Sequence, residues 1–248
     1  MFAMEDRIGV LYNMLERSPS EQKELDGLLR ASNFREQYNP IAFTPEHKSF
    51  KAAHNRAFAV MARYATAESG KGGNIFYLDG PDAGTTKMLV QENGGNDAFL
   101  ERCYTANRHQ STCDALRGEH GLTNVIVSDV VAAFANELAH VRFAAYYLDG
   151  CGGFSPAILA MMQACVSAPS VRNSQHRRMV IGYSLVGDTR RLLSNTMQVT
   201  QGLVQLVKHS HSVHHVMDDP AAYGVDPSLA PMEGNVATLW FVLEPRFD

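Results

Sequence analysis

Asn74-Ile75-Phe76-Tyr77-Leu78-Asp79-Gly80-Pro81-Asp82-Ala83-Gly84 is the stretch on which the architecture turns. A β-rich apolar run ends on an acid and enters a turn containing glycine. Thr85 to Asn93 then reads as a helix. The same alternation continues downstream. Phe99 to Thr105 reads as a second strand, followed by a helix through Cys113, Ala115 and Leu116. Thr123 to Asp129 is a third strand ending on an acid, with a helix through Val131 to Leu138. Val141 to Leu148 is a fourth, ending on Asp149, and Ser155-Pro156 opens the helix after it. Arg178 to Ser184 is a fifth, and Asp188 to Val207 a long helix.

The chain ends differently. Val213 to Met217 and Val236 to Leu243 read as strands joined without a helix. A parallel pair needs a crossover, so this pair is expected to be antiparallel. Five strand-helix units plus this pair predict a seven-stranded, mostly parallel sheet with an antiparallel last strand. The predicted fold class is α/β, a Rossmann-like three-layer sandwich.

Upstream of the glycines at 70, 72 and 73, the texture is helical throughout. Ile8, Leu11 and Leu15 lie at helical spacing, and Ser18-Pro19-Ser20-Glu21 has the form of a capping box with Pro at the first helical position. Thr44-Pro45-Glu46 repeats that start and predicts a helix to about Glu68, with Phe50, Ala53, Ala57, Val60, Met61 and Tyr64 on one stripe. The expected division is a helical N-terminal extension or cap over 1–70 and an α/β domain over 71–248.

Composition narrows the function. The 248 residues are 45% hydrophobic and 19% charged, as in a packed globule, with a formal net charge of -4. Such a balance excludes a histone-like coat for nucleic acid. No apolar run approaches the roughly 18 residues of a membrane span, and the acidic start Met1-Phe2-Ala3-Met4-Glu5-Asp6 does not resemble a signal or transit peptide. Cys103, Cys113, Cys151 and Cys165 form no C-x-x-C pair, which fits reduced thiols in the cytoplasm.

Ligands of open parallel sheets bind beyond the carboxyl ends of the strands, at a topological switch point. Polar residues mark four such ends: Asp79-Gly80 through Gly84, then Asn107, then Asp129, then Asp149 with the glycines after it. With the helix-free final pair, this set resembles the class I S-adenosylmethionine-dependent methyltransferases over roughly Gly73 to the C-terminus. The resemblance implies S-adenosylmethionine as cofactor. It implies that Asp79, Gly80 and Gly84 cradle its methionine and adenosine parts, that Asn107 holds the ribose, and that Asp129 contacts the adenine. Asp149 would lie beside the transferred methyl group as the catalytic acid–base or orienting residue. The departures are specific. The family's turn runs acid-x-Gly-x-Gly-x-Gly, and counting from Asp79 gives Pro81, Ala83 and Thr85. The ribose position is an amide, and the fourth strand lacks the Asn/Asp-Pro-Pro-Tyr/Phe signature of base-directed enzymes.

The methyl acceptor is left open among nucleic acid, protein and small molecule. Two other classes stay in view: a non-catalytic scaffold keeping the same fold, and a nucleotide-binding hydrolase. Gly84-Thr85-Thr86-Lys87 resembles the end of a phosphate-binding loop, but its first glycine stands one residue too close. His209, His211, His214 and His215 suggest a metal cluster without ligands at suitable spacing, so no metal is expected. Cys151 reads as inert rather than nucleophilic. Arg172, His176, Arg177, Arg178, Arg190 and Arg191 read as a solvated cluster, and Trp240 as core.

Overall fold

The computed structural model describes residues 18–21, 23–24, 45–67, 73–95, 97–152, 156–167, 178–186, 189–234 and 236–246. The helices expected over 5–17 and from Leu25 to Leu29 lie outside the described residues. Ser18 and Glu21 form the expected box. The Ser18 N–H and hydroxyl donate to Glu21 Oε2 at 2.8 and 2.6 Å, and the Glu21 N–H donates to Ser18 Oγ at 3.3 Å.

Helix α1 (Pro45–Ala67) leads into β1 (Asn74–Tyr77), α2 (Gly84–Glu92) and β2 (Cys103–Asn107). Then come α3 (Gln110–Gly118), β3 (Asn124–Val127), α4 (Val130–Ala135), β4 (Phe143–Gly152), α5 (Pro156–Ser167) and β5 (Met179–Val186). The chain ends with α6 (Thr189–Val207), β6 (His211–His215), a two-residue β7 (Met232–Glu233) and β8 (Val236–Pro245).

The sheet order is β3-β2-β1-β4-β5-β8-β6, with β7 paired to β8 off that path. Strands β1 to β5 pair parallel, while β8 runs antiparallel to both β5 and β6. The expected reversal of the last strand is therefore present, and β7 makes the strand count eight. Strand β8 sits between two neighbours and is buried from Val236 to Leu243, as a strand covered on both faces must be.

Alternation along the strands divides the core into two. Ile75, Tyr77, Tyr147 and Trp240 pack under α1, α2 and α3, against Phe58 and Leu89. Phe76, Tyr146, Ile181 and Phe241 face α4, α5 and α6. Trp240 fills the core as expected and is fully buried. Its ring lies where a side chain on Gly182 would stand; a Cβ there would come within 2.0 Å of Cζ3.

Several details differ from the sequence expectation, the following among them. The second strand starts at Cys103, because residues Asp97–Arg102, expected as strand from Phe99 on, form a 3₁₀ turn in which Arg102 donates to the Gly73 carbonyl (2.7 Å) and covers the Phe99 ring. The third strand stops at Val127, since Asp129 caps α4 by accepting from the Ala132 N–H at 3.0 Å. The fourth strand begins at Phe143 and continues past Asp149 to Gly152 through a register shift against β5. On α1, Ala53 is exposed, and the buried line runs through Phe50, His54, Phe58, Met61 and Ala65. The helix is turned toward β4 and α2, which brings polar residues onto its inner side.

Candidate functional site

Because β1 to β5 are parallel, their carboxyl ends share one edge of the sheet. The chain moves outward from β1 through β2 to β3, then returns to place β4 on the other side of β1. The β1–β4 boundary is thus the topological switch point. Asp79 lies just beyond β1 there, and Asp149 near the end of β4, opposite Ser184 of β5. Asn107 ends β2, and Asp129 follows β3. All the sequence-predicted positions therefore converge on this edge, although they are used differently.

Asp79 is consumed by its own turn. Its Oδ1 accepts from the N–H groups of Gly80 (3.0 Å) and Thr85 (3.4 Å), and its Oδ2 from the N–H (2.9 Å) and hydroxyl (2.8 Å) of Thr86. An ionised carboxylate has about four acceptor positions, and here all are taken. Burial pushes this carboxyl above its ordinary pKa, with the bonds from Thr86, Thr85 and Gly80 pulling it back. The Thr86 hydroxyl, donating to Asp79, accepts in turn from the Tyr77 hydroxyl at 2.8 Å.

The turn itself is strained. Ala83 adopts φ 52 and ψ 43 at the N-terminus of α2 and is fully buried. It is the only non-glycine residue with positive φ among the described residues. This left-handed conformation is routine only for glycine. Gly84 follows, exposed, and a Cβ there would make only ordinary contact with Asn55 Nδ2 at 3.5 Å. The Gly80 carbonyl closes the turn by accepting from the Ala83 N–H at 3.0 Å.

Asn107 joins the ends of two strands. Its Nδ2 donates to the Asp79 carbonyl at 3.4 Å, and its Oδ1 accepts from the His109 N–H at 2.9 Å. Asp129 spends Oδ1 on the α4 cap. Beside it, Val127 and Val131 are both about 40% exposed, at 41% and 40%, and give this corner an apolar surface.

Asp149 meets a residue that sequence reasoning missed. Lys51 of α1 places Nζ 2.6 Å from its Oδ2, and the two side chains retain only 26% and 11% exposure. Asn55, one helical turn on, accepts from the Thr85 hydroxyl at 3.4 Å. Helix α1 thus spans the switch point, touching the β4 acid and the start of α2 at once. Between these two positions His54 is buried, and its Nδ1 accepts from the Trp240 indole N–H at 3.1 Å. Its Nε2 therefore carries the proton donated to the Ala230 carbonyl at 2.9 Å. Burial lowers the His54 pKa to about 4, against weaker opposing effects from Ala230 and the Asp149 charge. The available signal was polar residues at Lys51, His54 and Asn55 beside the apolar stripe of this helix.

The remaining candidates fall elsewhere. His209 is exposed in the turn before β6, His211 is buried against Ser210 Oγ at 2.9 Å, and His214 is exposed. Among the described residues no group of three or more His, Cys, Asp or Glu could hold a metal ion. Arg178 is no free surface cation: it pairs with Glu244 at 2.6 Å and covers the Tyr64 ring. Cys103, Cys113 and Cys165 are free, buried thiols. No helix among the described residues is long and apolar enough to cross a membrane.

No family model matches the sequence, and no curated protein does. Solved structures do. The plantazolicin methyltransferase BpumL in complex with SAH matches with a TM-score of 0.51 at 9% identity, covering 98% of this chain and 100% of that one. The same enzyme with a pentazolic desmethylPZN analog and SAH gives 0.50 at 11% identity, covering 99% and 98%. With strand order, strand directions and helix layers already established, the chain has the fold of the class I methyltransferases.

Proposed function

We propose that this protein is an S-adenosylmethionine-dependent methyltransferase. The observation that carries the reading is the gathering of Asp79, Asn107, Asp129 and Asp149 on one sheet edge around the β1–β4 switch point. The SAH held by the structural neighbours supports the same cofactor here.

In this reading the turn from Gly80 to Gly84 receives the methionine and adenosine parts. Asp79 acts on the cofactor through the turn it shapes, because its own oxygens are engaged. Asn107 offers the ribose an amide on a rigid link between β1 and β2. Asp129 keeps Oδ2 for the exocyclic amine of adenine, with Val127 and Val131 as apolar walls for the ring. The sulfonium is already activated, so the protein's task is to hold an acceptor in line with the methyl carbon. Asp149 orients that acceptor or takes its proton, and Lys51 fixes the carboxylate in place. Free buried thiols fit a reducing compartment such as the cytoplasm. The acceptor is a separate question, to be answered by transfer of labelled methyl into a cell extract.

Calorimetric titration of the protein with S-adenosylmethionine and S-adenosylhomocysteine tests the reading. Saturable binding of both is expected. No heat at concentrations well above cellular levels would leave the non-catalytic scaffold ahead, a reading that Pro81, Ala83 and Thr85 in place of glycines would then explain.

A further inference from the structure

We infer that Thr86 is a positioning residue for the cofactor: with Tyr77 and Asp79 it forms a clamp that does the work glycines do in related turns. The inference rests on the methyltransferase reading and concerns how its binding turn is held.

The turn must pass through a left-handed residue at Ala83 before α2 can start. Glycine would enter that conformation freely, whereas alanine resists it through its Cβ. Something outside Ala83 must therefore hold the backbone there. The bonds to Asp79 have the right placement. They take the N–H of Gly80 on one side of Ala83 and the N–H groups of Thr85 and Thr86 on the other, so one carboxylate ties both flanks together. Asp79 can do this only while its two oxygens keep their orientation. That orientation is set by the Thr86 hydroxyl, which donates to Oδ2 and is itself fixed by the Tyr77 hydroxyl from within β1. Thr86 and Tyr77 are both buried, so water does not substitute for either bond. The clamp runs from the strand, through the hydroxyl, to the carboxylate, and so to the backbone on both sides of the strained alanine.

A ligand that needs this turn binds only the fraction of molecules in which the turn is formed, and its apparent dissociation constant rises by the inverse of that fraction. Thr86→Val keeps the backbone N–H and the side-chain shape but removes the hydroxyl. If the turn is then formed about one-tenth of the time, S-adenosylhomocysteine binding weakens roughly ten-fold. KM for S-adenosylmethionine should rise equally while kcat stays near wild type, and Thr86→Ser should restore affinity. Replacing Ala83 by glycine removes the conformation that the clamp opposes. In an Ala83→Gly background, Thr86→Val should therefore weaken binding no more than about two-fold, a coupling read by the double-mutant cycle.

The experiment is calorimetry with S-adenosylhomocysteine on wild type, Thr86→Val, Thr86→Ser, Ala83→Gly and the Ala83→Gly/Thr86→Val double mutant, well below each melting temperature. Should Thr86→Val not fold, Tyr77→Phe cuts the same relay one bond earlier and is expected to weaken binding about three-fold. Wild-type affinity in the cut variants, or an equal loss with and without Ala83→Gly, would overturn the clamp while leaving the methyltransferase reading intact. No binding by the wild type would defeat that reading itself, and the clamp as a cofactor device with it.

Discussion

Two acids stand at the ends of neighbouring parallel strands, and the molecule treats them in opposite ways. Asp79, after β1, is enclosed by bonds from Gly80, Thr85 and Thr86, all within the next seven residues. Asp149, in β4, is met from across the fold by Lys51, nearly a hundred positions away, at 2.6 Å. The first carboxylate shapes backbone; the second pairs with a lysine from another element at the carboxyl edge of the sheet. Similar strand ends in sequence are thus different tools in space. What separates them is where the partner comes from: the next few residues of its own turn for Asp79, a distant helix for Asp149.

The sharpest way to break this contrast is Asp79→Asn. An amide offers one acceptor oxygen and turns an NH2 toward a donor that Oδ2 now satisfies. A loss of about 3 kcal/mol, the upper end for a buried group left unsatisfied, is expected from urea denaturation. A change under about 0.5 kcal/mol would mean the network is not holding the turn.

A comparable effect belongs to the seam between α1 and β8. The His54 pKa is lowered to about 4, whereas the unfolded chain titrates near its ordinary 6.5. Between those values the unfolded state binds the extra proton and the native state does not, so stability is full above pH 6.5 and falls as pH drops toward 4. The loss amounts to about 3 kcal/mol for a shift of this size. His54→Gln can accept from Trp240 and donate to Ala230 without titrating, and its stability curve should lack this component. Parallel curves for the two proteins would show that His54 titrates normally.

Asp149→Asn sharpens the other half of the contrast. The fold and cofactor affinity should stay near wild type, while single-turnover methyl transfer slows by roughly 10²-fold, the usual scale of a positioned acid–base contribution. An unchanged rate removes Asp149 from the chemistry. The smallest effect is expected from Lys51→Met read as stability. The pair is partly exposed, so its removal should cost about 1 kcal/mol or less in thermal unfolding. A loss several times larger would make Lys51 a structural strut rather than a partner of the site.

Much of the framework was legible because its causes are local. The Ser18–Glu21 box, the helix start at Pro45 and the helix from Thr189 follow from capping chemistry and helical spacing. The reversal of β8 was readable from the absence of a crossover helix. Residues 99–102 were misread as strand because Phe99 and Leu100 are as apolar as a strand requires. What bends them is the contact of Arg102 with Gly73, which composition does not display.

At the candidate site, the sequence by itself determined which residues arrive at the carboxyl edge of the sheet: parallel strands bring all their carboxyl ends to one side. Only the tertiary structure decided what each of them does. It spent Asp79 on its own turn and put Ala83 into a left-handed conformation. It also laid α1 across the switch point, so that Lys51 reached Asp149 and His54 bonded Trp240 across 186 positions. The physical reason is range. Hydrophobic period and capping act over one or two turns of chain, whereas the pairings of Lys51 with Asp149 and of His54 with Trp240 depend on which distant segments the sheet order brings together.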